Sequence, residues 1–161
     1  MNLEYFFQWD NIVILITVLI SILILFTGIY LCFKKRYIIG GLINISIIII
    51  TGVYMPRKTV ITNKQITICL LLRSIEIPAT EIINIQTISP QEINNSIRVF
   101  GSGGYFGYLG KFKNDKQGAY ILYATEKNNL MLIQTLTHNY IVSSIPEQEI
   151  TVIKALLNLI K

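Results

Sequence analysis

One glycine-rich segment is the part of the sequence whose composition most suggests a ligand loop. Five glycines alternate with aromatic residues in RVFGSGGYFGYLGKFK, residues 98–113. The glycine spacing differs from the dinucleotide-binding pattern, and the segment lies between strand patterns rather than before a helix. Glycine permits positive φ and lets strands bend or bulge, so we interpret the segment as a curved hairpin with aromatic side chains packed over glycine. A ligand groove formed by the same segment is the open alternative.

The side chains of this segment that could contact a ligand or a partner are Arg98, Tyr105, Tyr108, Lys111 and Lys113. Residues 59–161 hold nine basic and seven acidic residues, an excess of only two positive charges. We therefore expect that removing the three cations changes binding to anionic vesicles little. Without a clustered basic face the sequence also argues against a nucleic-acid partner.

The remaining candidates for catalysis or metal binding are isolated residues. His138 is the single histidine and has no neighbouring histidine or Cys/Asp cluster with which to form a usual metal site. Glu147 and Glu149 are two positions apart on a predicted helix, so they face different directions and do not form an acid/base pair. We assign no catalytic residue, no metal and no cofactor, and we expect that the protein is not an enzyme. Cys32 and Cys69 are interpreted as small packing residues rather than a disulfide pair.

Two uncharged runs rich in Ile and Leu dominate the first third of the chain. They cover residues 12–33 and 38–55 and are separated by Lys34, Lys35 and Arg36. A membrane-spanning helix needs about 20 apolar residues, so residues 1–56 are predicted to be a transmembrane hairpin of a multi-pass protein. Met1 to Asn11 carries two acidic residues and no basic side chain, unlike a signal peptide. The basic residues on the two sides of the membrane are nearly equal in number and leave the orientation open.

Small and polar residues form one stripe on each run, and such stripes permit close helix packing in lipid. Folding the chain back at the basic turn would place the stripe of the first run against that of the second, with Thr17 near Thr51 and Gly28 near Gly40, and Asn44 would be free to bond across the pair. Oligomerisation through the same stripes is the alternative. The predicted packing residues are Thr17, Ser21, Gly28, Gly40, Asn44 and Thr51.

Residues 57–161 are predicted to form a mainly-β domain that folds alone. Apolar and polar residues alternate in short segments separated by Asn- and Gly-rich turns, which predicts about seven antiparallel strands. Ser144 and Glu147 match a capping box with Pro146 in the first turn, and an apolar stripe from Ile150 to Ile160 follows. The expected fold is a sandwich or partly open barrel with one C-terminal amphipathic helix.

This order of strands and one final helix is that of a pleckstrin-homology domain. The stretches Arg98–Phe112, Tyr120–Thr125, Met131–Thr135 and Tyr140–Ser144 resemble the bacterial PH-like (pleckstrin-homology-like) domain family of small membrane proteins, over roughly residues 57–156. The resemblance implies a PH-like domain behind transmembrane segments in a bacterial plasma membrane, and it implies no particular activity. Lipid-binding eukaryotic PH domains carry several basic residues in the first hairpin, whereas this chain offers only Lys64, so phosphoinositide binding is not expected.

Two interpretations of the function remain. In the first, the protein is a membrane-anchored, non-catalytic module that presents its β-domain to a protein partner or to the bilayer. In the second, it binds a small ligand or a lipid headgroup through residues 98–113. The unpaired Cys69 and the setting that the resemblance implies favour a cytoplasmic domain.

Overall fold

The computed structural model describes residues 2–34 and 37–159. It contains two apolar helices, two β-sheets and a short C-terminal helix. The predicted turn residues Lys35 and Arg36, and the last two residues of the chain, Ile160 and Lys161, lie outside the described residues.

The two apolar runs form helices of unequal length. Helix α1 spans Asn11–Phe33 and helix α2 spans Ile38–Gly52. With a rise of 1.5 Å per residue they are about 35 and 22 Å long, and among the described residues only α1 is long and apolar enough to cross a membrane by length and composition. The second helix is shorter than the predicted run of residues 38–55. The chain leaves the helix through a turn at residues 53 and 54, and Met55 precedes Pro56, a position that disfavours helical conformation.

The first sheet has four antiparallel strands, β1 Leu3–Phe6, β2 Pro56–Ile61, β3 Gln65–Leu70 and β4 Ser74–Pro78, in that order. The predicted alternation in β3 is present, with every second side chain buried. Strand β1 precedes α1 in the chain, yet it pairs with β2 from Leu3 opposite Ile61 to Phe6 opposite Lys58. The domain boundary predicted at residue 57 assigns β1 to the helical part of the chain. The backbone of β1 nevertheless forms the edge strand of the first sheet of the domain.

The second sheet has six strands in the order β5-β9-β10-β8-β7-β6. They are β5 Ile82–Ile88, β6 Ile97–Gly104, β7 Gly107–Asn114, β8 Gly118–Ala124, β9 Leu130–Thr135 and β10 Asn139–Val142. The described residues thus contain ten strands rather than about seven. The purely antiparallel expectation is wrong at one place, because β10 inserts between β8 and β9 and runs parallel to β8. Both edges of β10 are thereby hydrogen-bonded, and Ile141 and Val142 are fully buried.

The C-terminal helix is present but shorter than predicted. Helix α3 spans Ile150–Leu156 after one 3-10 turn at Glu147–Glu149. Ser144 is not its cap, because Ser144 has a φ of 65° and its hydroxyl donates to the Glu126 carboxylate at 2.8 Å. The amphipathic face is as predicted, with Ile150 and Ile153 buried.

The domain has two hydrophobic clusters, and helix α1 contributes to one of them. The first joins the four-stranded sheet to α3 and to strands β5, β9 and β10 of the second sheet. The second lies mainly on β7, β8, β9 and β10 and includes Val13, which is fully buried in the first turn of α1. Helix α1 is therefore packed into the domain and is not joined to it by a free linker.

Candidate functional site

Strands β6 and β7 form a hairpin whose two-residue tip is Tyr105 and Phe106. Gly101 and Gly110 are paired across this hairpin with φ values of 122° and 120°. A Cβ atom on either glycine would lie 2.8 Å from the Cα atom of the other, so no side chain fits at either position. At these two positions the backbone conformation and the close approach of the strands require glycine.

The tip of the hairpin contacts helix α1. The Thr17 hydroxyl accepts a hydrogen bond from the Phe106 N–H at 3.0 Å and donates to the Gly104 carbonyl at 3.4 Å. One turn further along α1, the Ser21 Oγ and the Tyr105 hydroxyl are 3.5 Å apart. Two residues predicted to face the second helix therefore face the domain instead. The reason is that this stretch of α1 packs against the tip of the β6–β7 hairpin, which takes up the Thr17 and Ser21 hydroxyls.

The start of α1 is bonded to the domain through Asp10. Its N–H donates to the Thr125 carbonyl at 3.0 Å, and its carboxylate accepts from the Val13 N–H at 2.6 Å and from the Tyr108 hydroxyl at 3.4 Å. Burial, followed by the charge and hydrogen bond of Asp10, raises the pKa of Tyr108 to about 12. Tyr108 was predicted as a surface residue, but its side chain is buried in the core because it points to the opposite face of β7 from Lys111. We call these contacts of Asp10, Val13 and Thr17 with the domain the junction.

The helix pair packs through glycine, one position away from the predicted pairing. A Cβ atom on Gly41 would lie 2.7 Å from the Gly28 carbonyl oxygen, whereas a Cβ atom on Gly40 would meet nothing within 4 Å. The Asn44 side-chain oxygen is buried without a hydrogen-bond partner among the described residues. The Thr51 hydroxyl donates within its own helix, to the Ile47 carbonyl at 2.7 Å. The second stripe thus makes close contact through Gly41 and not through Gly40.

A groove of about 830 Å³ lies between the helices and the outer face of β6, β7 and β8. Its apolar walls include Ile16 and Ile20 of α1 and Leu109 and Ile121 of the sheet. Of the predicted surface residues, Arg98, Tyr105 and Lys111 line this groove. Lys113 is exposed on the same strand as Lys111 but lies outside the lining, and Tyr108 is in the core.

The groove is positively charged. Arg73, Arg98 and Lys111 line it, and no Asp or Glu does. Within residues 2–34 and 37–159 the one salt bridge joins Lys58 to Glu4, so none of the three groove cations is paired with a carboxylate. Arg98 depends on a glycine for its position, because a Cβ atom on Gly103 would lie 2.7 Å from the guanidinium Nη1.

Arg73 and Tyr123 belong to the groove but were missed by sequence reasoning. Burial raises the pKa of Tyr123, and the positive charge of Arg73 acts in the opposite direction. Arg73 lies at the β3–β4 turn of the first sheet, 25 positions from Arg98 in the chain. No local signal connects the two residues, because their proximity depends on how the two sheets pack.

The residues singled out for catalysis are distributed over the domain. His138 is exposed in the β9–β10 turn. Glu147 and Glu149 accept hydrogen bonds from the Thr87 and Tyr5 hydroxyls at 3.4 and 3.2 Å. In the part of the chain that the structure describes, no group of three His, Cys, Asp or Glu side chains could hold a metal ion. The groove itself offers cations, hydroxyls and apolar walls, a set suited to binding an anion that carries an apolar portion.

Comparison with known proteins gives one match. A family model described as "Bacterial PH domain" matches residues 57–158, which is more than half of the chain. The match confirms the resemblance inferred from the sequence and covers strands β2 to β10 and helix α3. No curated protein and no solved structure matches the chain.

Proposed function

We propose that this chain, which belongs to the bacterial PH domain family, is a non-catalytic interaction module anchored in a membrane by α1 and α2. PH domains as a class mediate interactions with proteins or lipids. In this proposal the helices form the anchor, and the two sheets with α3 form the module that a partner recognises.

The observation that carries the anchor is the pairing of β1 with β2. Strand β1 ends four residues before α1 begins, and β2 begins three residues after α2 ends. Because the two strands are hydrogen-bonded neighbours, both ends of the helix pair lie on the same side. A chain that crosses the bilayer in α1 must therefore return in α2, which supports two spans. At about 22 Å, α2 is shorter than the roughly 30 Å hydrocarbon core, and local thinning of the bilayer accommodates such a mismatch.

The junction supports a module held at a constant height above the membrane. The buried Val13 and the two hydrogen bonds of Thr17 leave no flexible linker between anchor and domain. A partner would therefore meet the domain in one orientation relative to the bilayer.

The surface that we assign to a protein partner is the edge strand β6. Two of its large apolar side chains, Ile97 and Val99, are 75% and 66% exposed and lie outside the groove lining. In the described structure β6 pairs only with β7. An exposed apolar edge of this kind is suited to a protein that adds a strand to the sheet.

We place the domain on the cytoplasmic side of a bacterial plasma membrane. The free thiol of Cys69 and the family membership support this side. The basic residues near the membrane are divided almost evenly and do not oppose it strongly.

Cysteine labelling of the full chain tests the anchor. Single cysteines at Asn2, Tyr37 and Lys127 are introduced into a Cys32→Ser, Cys69→Ser background and labelled in intact cells with a reagent that does not cross the membrane. We expect labelling at residue 37 alone, because residues 2 and 127 share the cytoplasmic side. Labelling of residues 2 and 127 from opposite sides would overturn the helix hairpin, and release of the chain by alkaline carbonate would overturn the anchor.

Affinity capture tests the partner surface. The full chain is purified from its own membrane extract beside a Val99→Lys variant, with Val152→Lys as the control, since Val152 is also an exposed valine but lies on α3. A protein that is captured by the wild type and the control but lost from the β6 variant supports the assignment. Equal capture by all three chains would show that the partner binds a surface other than β6.

A further inference from the structure

We propose that the groove between α1 and the outer face of β6–β8 binds one anionic phospholipid. The phosphate would lie against Arg73, Arg98 and Lys111, and an acyl chain would lie along Ile16 and Ile20. This inference rests on the proposed membrane anchor, because the lipid would enter from the bilayer that α1 crosses.

The size and shape of the groove fit a lipid rather than a flat contact. Its volume of about 830 Å³ lies within the 300–1,000 Å³ typical of small-molecule sites. One wall is the membrane helix itself, and the facing wall is the sheet at Leu109 and Ile121. A molecule in the groove would therefore contact the anchor and the domain at once.

Charge complementarity identifies the polar end of the occupant. Three cations converge on the groove, one from the β3–β4 turn, one from β6 and one from β7, and none has a carboxylate partner within the described residues. Arginine guanidinium groups bind phosphate in bidentate geometry, and lysine binds it as a point charge. Basic pockets beside membrane helices are suited to anionic lipid headgroups. An acidic protein segment would satisfy the cations but would leave the apolar walls without a matching group.

The position of the groove identifies the apolar end. Ile16 and Ile20 belong to α1, which continues into a surface where Leu19, Leu23 and Phe26 are 58%, 62% and 70% exposed. In a bilayer these side chains meet acyl chains, so the apolar wall of the groove is continuous with the lipid-facing surface of the helix. A free phosphate or sugar phosphate would use the cations alone and would leave the apolar walls uncovered.

The fold also explains why the cations are available. The hairpin that carries Arg98 and Lys111 is held by Thr17 at its tip, and Gly103 leaves the space in which the Arg98 guanidinium lies. Lys113 is two residues from Lys111 on the same face of β7 but is outside the groove. It provides a control that removes the same charge from the same strand.

Native mass spectrometry of the full chain in a non-ionic detergent tests the proposal. Phosphatidylglycerol and phosphatidylcholine with identical acyl chains are added in turn. We expect one bound phosphatidylglycerol per chain, with phosphatidylcholine at least tenfold weaker. The double variant Arg98→Ala, Lys111→Ala should lose at least tenfold in phosphatidylglycerol affinity, whereas Lys113→Ala should stay within twofold of the wild type.

A third variant tests the space in the groove independently of its charge. Ile121 is half-buried and points into the groove, so Ile121→Trp fills part of the space without changing any charge. The Ile121→Trp variant should bind both lipids more weakly than the wild type does. Inorganic phosphate at the same concentration as the lipid should not displace phosphatidylglycerol, because it lacks the acyl chain.

Several outcomes would overturn the lipid site. They are equal binding of the two lipids, an equal loss in the double variant and in Lys113→Ala, unchanged binding in Ile121→Trp, or displacement by inorganic phosphate. Carbonate extraction of the same variants reports on the anchor separately. A chain that stays in the membrane but shows no lipid preference contradicts the lipid site alone, and a chain that is extracted contradicts the proposed function.

Discussion

Replacing Thr17 by valine tests the junction between the helix and the domain. The Thr17 hydroxyl is the hydrogen-bond acceptor of the Phe106 N–H and a donor to the Gly104 carbonyl. Valine keeps the size and β-branching of threonine but supplies neither bond. The Thr17 side chain is only 8% exposed, so water does not readily replace the hydroxyl. A buried donor or acceptor left unsatisfied costs about 1–3 kcal/mol, and we expect Thr17→Val to lower the free energy of unfolding by that amount.

The measurement is denaturant unfolding of the full chain in a mild detergent, with Thr27→Val as the matched control. Thr27 also lies on α1, but its hydroxyl donates to the carbonyls of Leu23 and Ile24 within the helix. Its replacement should change stability by no more than about 0.5 kcal/mol, as is usual away from such features. Equal effects of the two substitutions would refute the assignment of Thr17 to the junction.

Three further substitutions test other contacts. Gly41→Ala should destabilise the helix pair, because the new Cβ atom would lie 2.7 Å from the Gly28 carbonyl oxygen. Gly40→Ala should instead stabilise the helix pair by about 0.8–1 kcal/mol through helix propensity. A stabilising Gly41→Ala would contradict the close packing of α1 and α2 at Gly41. The Thr59 hydroxyl is buried without a hydrogen-bond partner among the described residues, so Thr59→Val should raise the free energy of unfolding by about 1 kcal/mol. Thr135→Val, which loses three hydrogen bonds in the β9–β10 turn, should lower it. A destabilising Thr59→Val would show that the Thr59 hydroxyl does make a hydrogen bond. The pKa of Tyr108 is raised from 10 to about 12. The stability contributed by the neutral Tyr108 hydroxyl is therefore complete below pH 10 and is lost as the pH rises to 12. Tyr108→Phe should reduce this alkaline loss of stability, and an unchanged dependence of the unfolding free energy on pH would argue against the shift.

The parts of the fold that follow from local pattern were predictable from the sequence. The uncharged, mainly apolar run predicted α1, and the alternation of Ile66, Ile68 and Leu70 predicted β3. The apolar stripe that includes Ile150 and Ile153 predicted α3. Each of these signals lies within a window of a few turns or a few strand residues, where side-chain periodicity and burial are directly related.

The parts that depend on distant pairing were not predictable. Strand β1 is only four residues long, and it is defined by a partner more than 50 residues away. Strand β10 lies between two strands that are consecutive in the chain, and no local pattern shows that insertion. A ligand groove at residues 98–113 was kept as an alternative, but its positive charge and the part that Arg73 plays in it were missed for the same reason. Counting charges over the whole domain gave an excess of two, whereas the sheets bring Arg73 to Arg98 and Lys111 and keep the acidic residues away.

One hairpin carries both the junction and the proposed lipid site, and this predicts that the two are coupled. The hairpin tip is held by Thr17, and the strands leading to that tip carry Arg98 and Lys111. A lipid that binds only the docked hairpin stabilises it by about 2.7 kcal/mol at a concentration 100 times its dissociation constant. Because such coupling is reciprocal, Thr17→Val should weaken phosphatidylglycerol binding although residue 17 has no place in the lining of the groove. In Thr27→Val, where the hairpin contact is intact, lipid affinity should remain that of the wild type. If Thr17→Val lowers stability and leaves lipid affinity unchanged, the hairpin holds its cations in place without help from α1, and the anchor and the groove act independently.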